Sequence, residues 1–309
     1  MRLGIIGVPY NSAGTRGGEA LAPTVLREQG SIEALSRHSD VTDYGDIEIE
    51  PEPTRERDPE SGIIAPRRLV NMISGVRQAV AKAYAERTMP VLIGGDCPLL
   101  LGALLAARDQ LGYAPGLIFV DGHEDAYPPF GSLTGEAADM ELGLALGLSR
   151  AEGLGDLATE FPILDPHEVV LLGPRDQAEL KGEGIESISH RVIVLDDTML
   201  RDAGVEVTIK RWLDQMQHQP GRFWFHLDWD VLSSDDMPAV SYPQPGGLGW
   251  DEVEAIARPA IHADHLIGID LTIYNPEMDP DRTHANTIVD FVARVTSPTE
   301  PEPRLGRIS

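Results

Sequence analysis

The feature that most constrains this chain is an alternation. Short apolar, β-branched runs that stop at Gly, Asp or Pro take turns with longer amphipathic stretches, and strands separated by helical segments build a parallel sheet. LGIIGV reads as the first strand, followed by VLIGG (91–95), GLIFVD (116–121), EVVLLG (168–173), RVIVLD (191–196), RFWFHLDWD (222–230) and HLIGIDL (265–271). Leu69, Met72, Ile73, Val76 and Val80 recur at helical spacing within 67–85, so that stretch lays one face on the sheet. Further helices are predicted from Pro98 through LLLGALLAARDQ and over 139–148, 175–181, 205–217, 250–261 and 284–294. Seven or eight strands follow. The acidic, proline-rich stretch 47–62 is expected as a surface loop, and 296–309 as a tail or an oligomer arm. No repeat or composition break divides the chain, so a single α/β domain over 1–309 is expected.

Charge and cysteine usage narrow the function classes. A net charge of -25 with no basic cluster argues against nucleic acid and anionic membrane as partners, and favours cationic small molecules. No stretch approaches the roughly 20 apolar residues of a bilayer span. The one cysteine, Cys97, cannot form an internal disulfide, and MRLGIIGVPYNSAG lacks the features of a signal peptide, so a cytoplasmic protein is expected.

Two strands end in clusters of acids and imidazoles. GLIFV runs into DGHED, placing Asp121, His123 and Asp125 at i, i+2, i+4, and RFWF runs into HLDWD, placing His226, Asp228 and Asp230 likewise. If strand geometry persists, each triplet points one way from the carboxyl edge of the sheet, where open parallel sheets bind ligands. Crowded carboxylates raise one another's pKa unless a cation intervenes, so two such clusters suggest a pair of divalent metals sharing a water. The plainer alternative is a set of turn-forming Asp residues. Cys97 follows Asp96 at a third strand end. Acidic neighbours disfavour a nucleophilic thiolate and a metal favours one, so ligation is the preferred reading over an inert buried thiol.

The chain resembles the ureohydrolase superfamily of arginases, agmatinases and formiminoglutamases. The resemblance rests on GVPYNSAGTRGGEALAPTVLRE, DYGDI (43–47), GGDC, DGHED, GPRD (173–176), DWDVLSSDDMPAVSYPQPGGL (228–248) and GIDLTIYNP (268–276), in order along nearly the whole sequence. It implies a three-layer α/β/α sandwich around a mainly parallel eight-stranded sheet, and two divalent metal ions, Mn²⁺ in the first place. Carried over by position, one ion would be held by Cys97, Asp121, Asp125 and Asp228, the other by His123, Asp121, Asp228 and Asp230. The implied reaction is attack of activated water, oriented by Asp125, on a planar amidine carbon, with release of an amine. The resemblance also implies a small-molecule substrate and a homo-oligomer, trimer or hexamer.

Three departures from the family pattern bear on specificity. Cys97 stands in place of a histidine, and its softer thiolate brings Zn²⁺, Fe²⁺ or Co²⁺ into consideration. Ile273 stands where guanidine-cleaving members carry a glutamate, so the substrate head would lose a bidentate contact unless Glu124, Glu136 or Asp235 supplies it. Ala138 and Ala178 replace a proton-shuttling histidine and an acid that reads an α-amino group. Ordinary arginase activity is therefore not expected. His226 is a candidate replacement shuttle, with a structural histidine as the alternative. The expected activity is metal-dependent hydrolysis of a linear, non-peptide C–N bond, with Glu136 and Ile273 in the substrate wall. The alternatives are a non-catalytic metal-binding relative and an amide or acyl hydrolase on the same fold.

Overall fold

A computed structural model describes residues 1–298, except Pro53, Ala151 and 218–220. Its frame is one eight-stranded sheet: β1 (Arg2–Val8), β2 (Asp40–Asp46), β3 (Met89–Gly94), β4 (Gly116–Val120), β5 (Val169–Leu172), β6 (Ile193–Leu195), β7 (Phe223–Asp228) and β8 (Leu266–Thr272). The spatial order is β2-β1-β3-β8-β7-β4-β5-β6, and every neighbouring pair is parallel. All carboxyl ends therefore emerge on one edge.

Strand alternation sorts side chains onto two faces. Leu3, Ile5, Val91, Ile93, Ile118, Val120, Phe223, Phe225 and Leu227 enter one core; Ile6, Val8, Leu92, Leu117, Phe119 and Trp224 enter the other. The first core is covered by α1 (Ala22–Glu28), α2 (Ser31–Ser36), α7 (Asp197–Ala203), α8 (Val205–Gln217), α9 (Trp250–Ile261) and α10 (Thr283–Thr296). The second is covered by α3 (Pro66–Ala85), α4 (Leu99–Leu111) and α5 (Glu141–Ala145). A short α6 (Gln177–Glu183) follows β5. Three layers result. Among the described residues, no helix is long and apolar enough to cross a membrane.

Several boundaries differ from expectation for local reasons. β2 is the eighth strand, missed because an edge strand that reads DVTDYGD carries no apolar run. The helices α2 and α7 were likewise not predicted. The helix expected over 139–148 is only Glu141–Ala145, preceded by a 3₁₀ turn at Ala137–Asp139 and ended by Gly147 at φ 68°. The helix expected at 175–181 begins at Gln177, since Arg175 and Asp176 belong to the loop before it. Residues 47–62 contain no helix or strand among those described. The expected tail 296–309 falls almost wholly outside the described residues, with Thr296 closing α10.

Gly95 fixes how β3 leaves the sheet. A Cβ there would lie 1.9 Å from the Tyr10 carbonyl oxygen, so no other residue allows this approach of the two loops. The next residues are Asp96 and Cys97, delivered to the carboxyl edge.

Candidate metal centre

The two acidic clusters meet because their strands are neighbours. β4 pairs with β7 through Val120 and Leu227, so Asp121 and Asp228, one residue further along each strand, leave the sheet side by side. The expectation of a persisting strand is corrected here: β4 stops at Val120, and β7 passes at Asp228 into a 3₁₀ turn over Trp229–Val231. The donors converge by loop geometry. Asp228 accepts from the Asp230 N–H at 2.7 Å, Asp121 from the His123 N–H at 2.7 Å, and Asp230 from the Gly122 N–H at 3.0 Å. Asp125 sits at φ 44°, a left-handed conformation uncommon outside glycine but better tolerated by Asp than by most residues. Arg175 fastens the second loop, its guanidinium donating to the Asp230 carbonyl at 2.7 Å and the Leu232 carbonyl at 3.2 Å.

The site has a deep layer and a cleft layer. Cys97, Asp121, His226 and Glu141 are fully buried, whereas His123, Asp125, Asp228 and Asp230 line a cleft of about 440 Å³. The Cys97 thiol donates to Asp228 Oδ2 at 2.7 Å and lies 3.2 Å from Thr272 Oγ1. His123 Nδ1 is 2.9 Å from Asp230 Oδ2. Ligand atoms gather in three overlapping groups, Cys97 with Asp121, His226 and Asp228, Cys97 with Asp121, Asp125 and Glu141, and Asp121 with His123 and Asp230; within each they lie within 4.8 Å of one another.

The electrostatics are those of a cation site. Burial, reinforced by neighbouring carboxylates, pushes Asp125 and Asp228 well above the carboxylate range, and burial and Asp228 push the Cys97 thiol up. Burial works against ionised Asp121 too, but the imidazoles of His123 and His226 outweigh it and hold that carboxyl low. Buried atoms also lack hydrogen-bond partners: Asp121 Oδ2, both Glu141 oxygens and His226 Nε2. Orphaned acceptors in a buried, acidic cluster are what a divalent ion would satisfy, so the donor set fits one.

His226 does not occupy the place its expected role needs. It is fully buried beneath the cluster and absent from the cleft wall. Phe119 stacks on its ring at 4.3 Å, Asp270 holds Nδ1 by a short hydrogen bond, and Nε2 faces Asp121 Oδ2 at 3.7 Å. Burial opposes its protonation, but Asp270 and Asp121 push its pKa up to about 10. A proton shuttle must reach substrate; this ring reaches the buried carboxylate of Asp121.

The cleft wall expected to meet a substrate contains some of the anticipated residues and lacks others. Ile273 and Ala138 line the cleft, but Ala178 does not, and neither do Glu124 or Asp235. Glu124 turns away to accept from Ser187 Oγ at 2.7 Å and the Ile188 N–H at 2.8 Å. Of the three acids considered as replacement anchors, Glu136 alone is in the wall, its pKa raised to about 7 by burial, then by Asp139 and Glu19. Residues not anticipated are Asp139, Asp176, Glu179, Glu183 and Tyr242 in the wall and Glu141 below it. Asp176 Oδ1 is buried without a partner, and burial raises that carboxyl to about 7. The only sequence signal for Glu141 was one carboxylate set in the apolar run MELGLALGL. Eight of the cleft residues are Asp or Glu, and among the described residues none lining it is Lys or Arg.

Comparison with known proteins places these features. The model of the Arginase family matches residues 1–297. An arginase of Bacillus subtilis (strain 168) is 26% identical over 294 residues, covering 94% of this chain and 96% of the relative. The N(omega)-hydroxy-L-arginine amidinohydrolase of Streptomyces lavendulae is 30% identical over 246 residues, 78% of this chain and 81% of that protein. The native structure of the arginase from Bacillus caldovelox superposes with a TM-score of 0.82 at 23% identity, over 97% of this chain and 99% of that one, a likeness of fold.

Proposed function

The chain belongs to the Arginase family of hydrolases, and from that premise we propose that it cleaves a linear amidine C–N bond in a small cationic molecule, using two divalent ions at the strand ends. The observation that carries the reading is the group of buried, unpartnered donor atoms at the foot of an acidic cleft. Cys97, Asp121, Asp125, Asp228, His123 and Asp230 are the proposed ligands, with Mn²⁺ the first choice and Zn²⁺, Fe²⁺ or Co²⁺ admitted by the thiolate. Bound ions would supply Lewis acidity and make water a nucleophile near neutral pH.

The chain's own side chains supply the rest. Asp125 reaches both layers and would orient the attacking water above the cluster. Ionised Glu136 would pair with the cationic amidine in place of the glutamate missing at 273. Ile273 and Ala138 present apolar surface to the substrate head, which disfavours arginine itself and favours an altered guanidine or amidine. His226 would act as a positioning residue, fixing Asp121 from below while Asp270 fixes its ring. A cytoplasmic, self-associating enzyme remains part of this proposal.

The test is a substrate panel. Protein loaded separately with Mn²⁺, Zn²⁺, Co²⁺ or Ni²⁺ is incubated with arginine, N-hydroxyarginine, agmatine, guanidino acids and formiminoglutamate, with urea, hydroxyurea or formamide as readout. Turnover of a substrate other than arginine supports the reading. Two bound ions and silence on every compound would move it to amides, and failure to retain any ion would overturn it.

A further inference from the structure

Glu141 is the one carboxylate in the cluster that no strand-end motif supplies. It opens α5, is completely buried, and neither carboxylate oxygen has a hydrogen-bond partner. Its position is enforced. Gly143, two residues on, donates its N–H to the Asp125 carbonyl at 3.1 Å, and a Cβ there would stand 2.9 Å from Ala126 Cα. The close approach docks the first turn of α5 on the DGHED loop and brings Glu141 against Cys97, Asp121 and Asp125, one ligand atom of each of the four lying within 4.8 Å of the others. A helix turn held there by a glycine, presenting a buried carboxyl to two other acids and a thiol, with the Asp125 carboxyl in hydrogen-bond reach, has the form of a ligand, since crowded buried carboxylates are strongly disfavoured unless a cation meets them.

We propose that Glu141 is a direct ligand of the ion beside Cys97, joining Cys97, Asp121, Asp125 and Asp228 there. The idea rests on the metal reading above and adds to it. Where relatives place an imidazole, this chain offers a thiolate, and Glu141 brings hard oxygen back to the same ion, one or two atoms according to its denticity. A site with one sulfur and several carboxylate oxygens keeps its capacity for Mn²⁺ while accepting Zn²⁺ or Co²⁺.

Diffraction from wild-type crystals loaded with Mn²⁺ or Zn²⁺, recorded at the metal's absorption edge, tests this without altering the chain. A Glu141 oxygen within about 2.0–2.4 Å of an ion that also contacts Cys97 is the expected result. An ion at Cys97 with both Glu141 oxygens beyond about 3 Å overturns the assignment and leaves the proposed function standing; no ion at all overturns both. In solution, Glu141→Gln is expected to weaken Co²⁺ binding at the Cys97 side by about 10–100-fold, a loss of the size typical for disturbed metal shells, read from the thiolate-to-cobalt charge-transfer band. Unchanged stoichiometry, affinity and band in that variant would sink the proposal.

Discussion

The two walls of the cleft differ in how they are built. One is made where β4 and β7 leave the sheet, and its donors are held by hydrogen bonds within and between those two loops, such as Asp230 N–H to Asp228 and Gly122 N–H to Asp230. The other is made of longer connections carrying Glu136, Ala138, Asp139 and Tyr242, joined by Ile273 from the end of β8. Set against the pattern that the resemblance implies, the first wall departs at Cys97 beneath it, while the second has Ile273 and Ala138 where a glutamate and a histidine are expected. A donor tied to the sheet cannot drift without uncoupling its neighbours, whereas a side chain facing open cleft can change with little structural consequence. On the proposed function, chemistry would reside in the β4 and β7 ends and specificity in the facing wall.

That contrast can be broken or sharpened by substitution. The largest effect is expected from Asp228→Asn on the strand-end wall: the metals' several kcal/mol of transition-state stabilisation corresponds to a loss on the order of 10³-fold in kcat/KM, accompanied by lost ion in elemental analysis. Glu136→Gln is expected to lower kcat/KM by about a hundredfold with metal content intact. Its pH dependence gives the sign: Glu136 is neutral below about pH 7 and ionised above, so wild-type kcat/KM for a cationic amidine should rise through that range, and the variant should lack that rise. Arg175→Ala frees the Asp230 and Leu232 carbonyls and should weaken metal binding by about 10–100-fold in titration calorimetry, more than it slows the fully loaded enzyme.

Ile273→Glu probes the second wall from the opposite direction. Restoring a charge-assisted pair worth about 1.5–3 kcal/mol should shift preference toward unmodified guanidines by about tenfold or more in competition assays. Ile273 is also 8% exposed and packs in the core beside an acidic cleft, so the variant should melt below the parent even though the strain of its φ of 69° on a β-branched residue is relieved. Leu133→Ser marks the lower end of the scale. At 77% exposure on the rim, its loss should alter stability by less than about 0.5 kcal/mol and affect KM rather than kcat.

What could be read in the sequence follows the same division. Buried parallel strands must be apolar along their length, which made β4, β5, β7 and β8 visible, and the acids after them stood out against that background. β2 escaped because, at the sheet edge, it needs no apolar run. Glu141 escaped because its meaning depends on Gly143 bringing α5 onto Asp125, a contact between segments that no local pattern encodes. His226 was misplaced for a related reason: its spacing put it on the right face, but Phe119 and Asp270, from neighbouring strands, decide that it lies beneath the cluster. Glu124 reads as a replacement anchor in DGHED, yet Ser187 and Ile188, distant in sequence, claim both of its oxygens.

The carboxylate lining of the cleft has a kinetic consequence. With eight acids and no described Lys or Arg in its wall, the mouth draws cations inward and turns anions away before any contact is made. Encounter rates for a cationic substrate should fall steeply with ionic strength, because fields of this kind are screened beyond about 10 Å at 0.1 M salt. Discrimination would then begin in free diffusion, with competing metabolites sorted by sign of charge ahead of any fit to the wall.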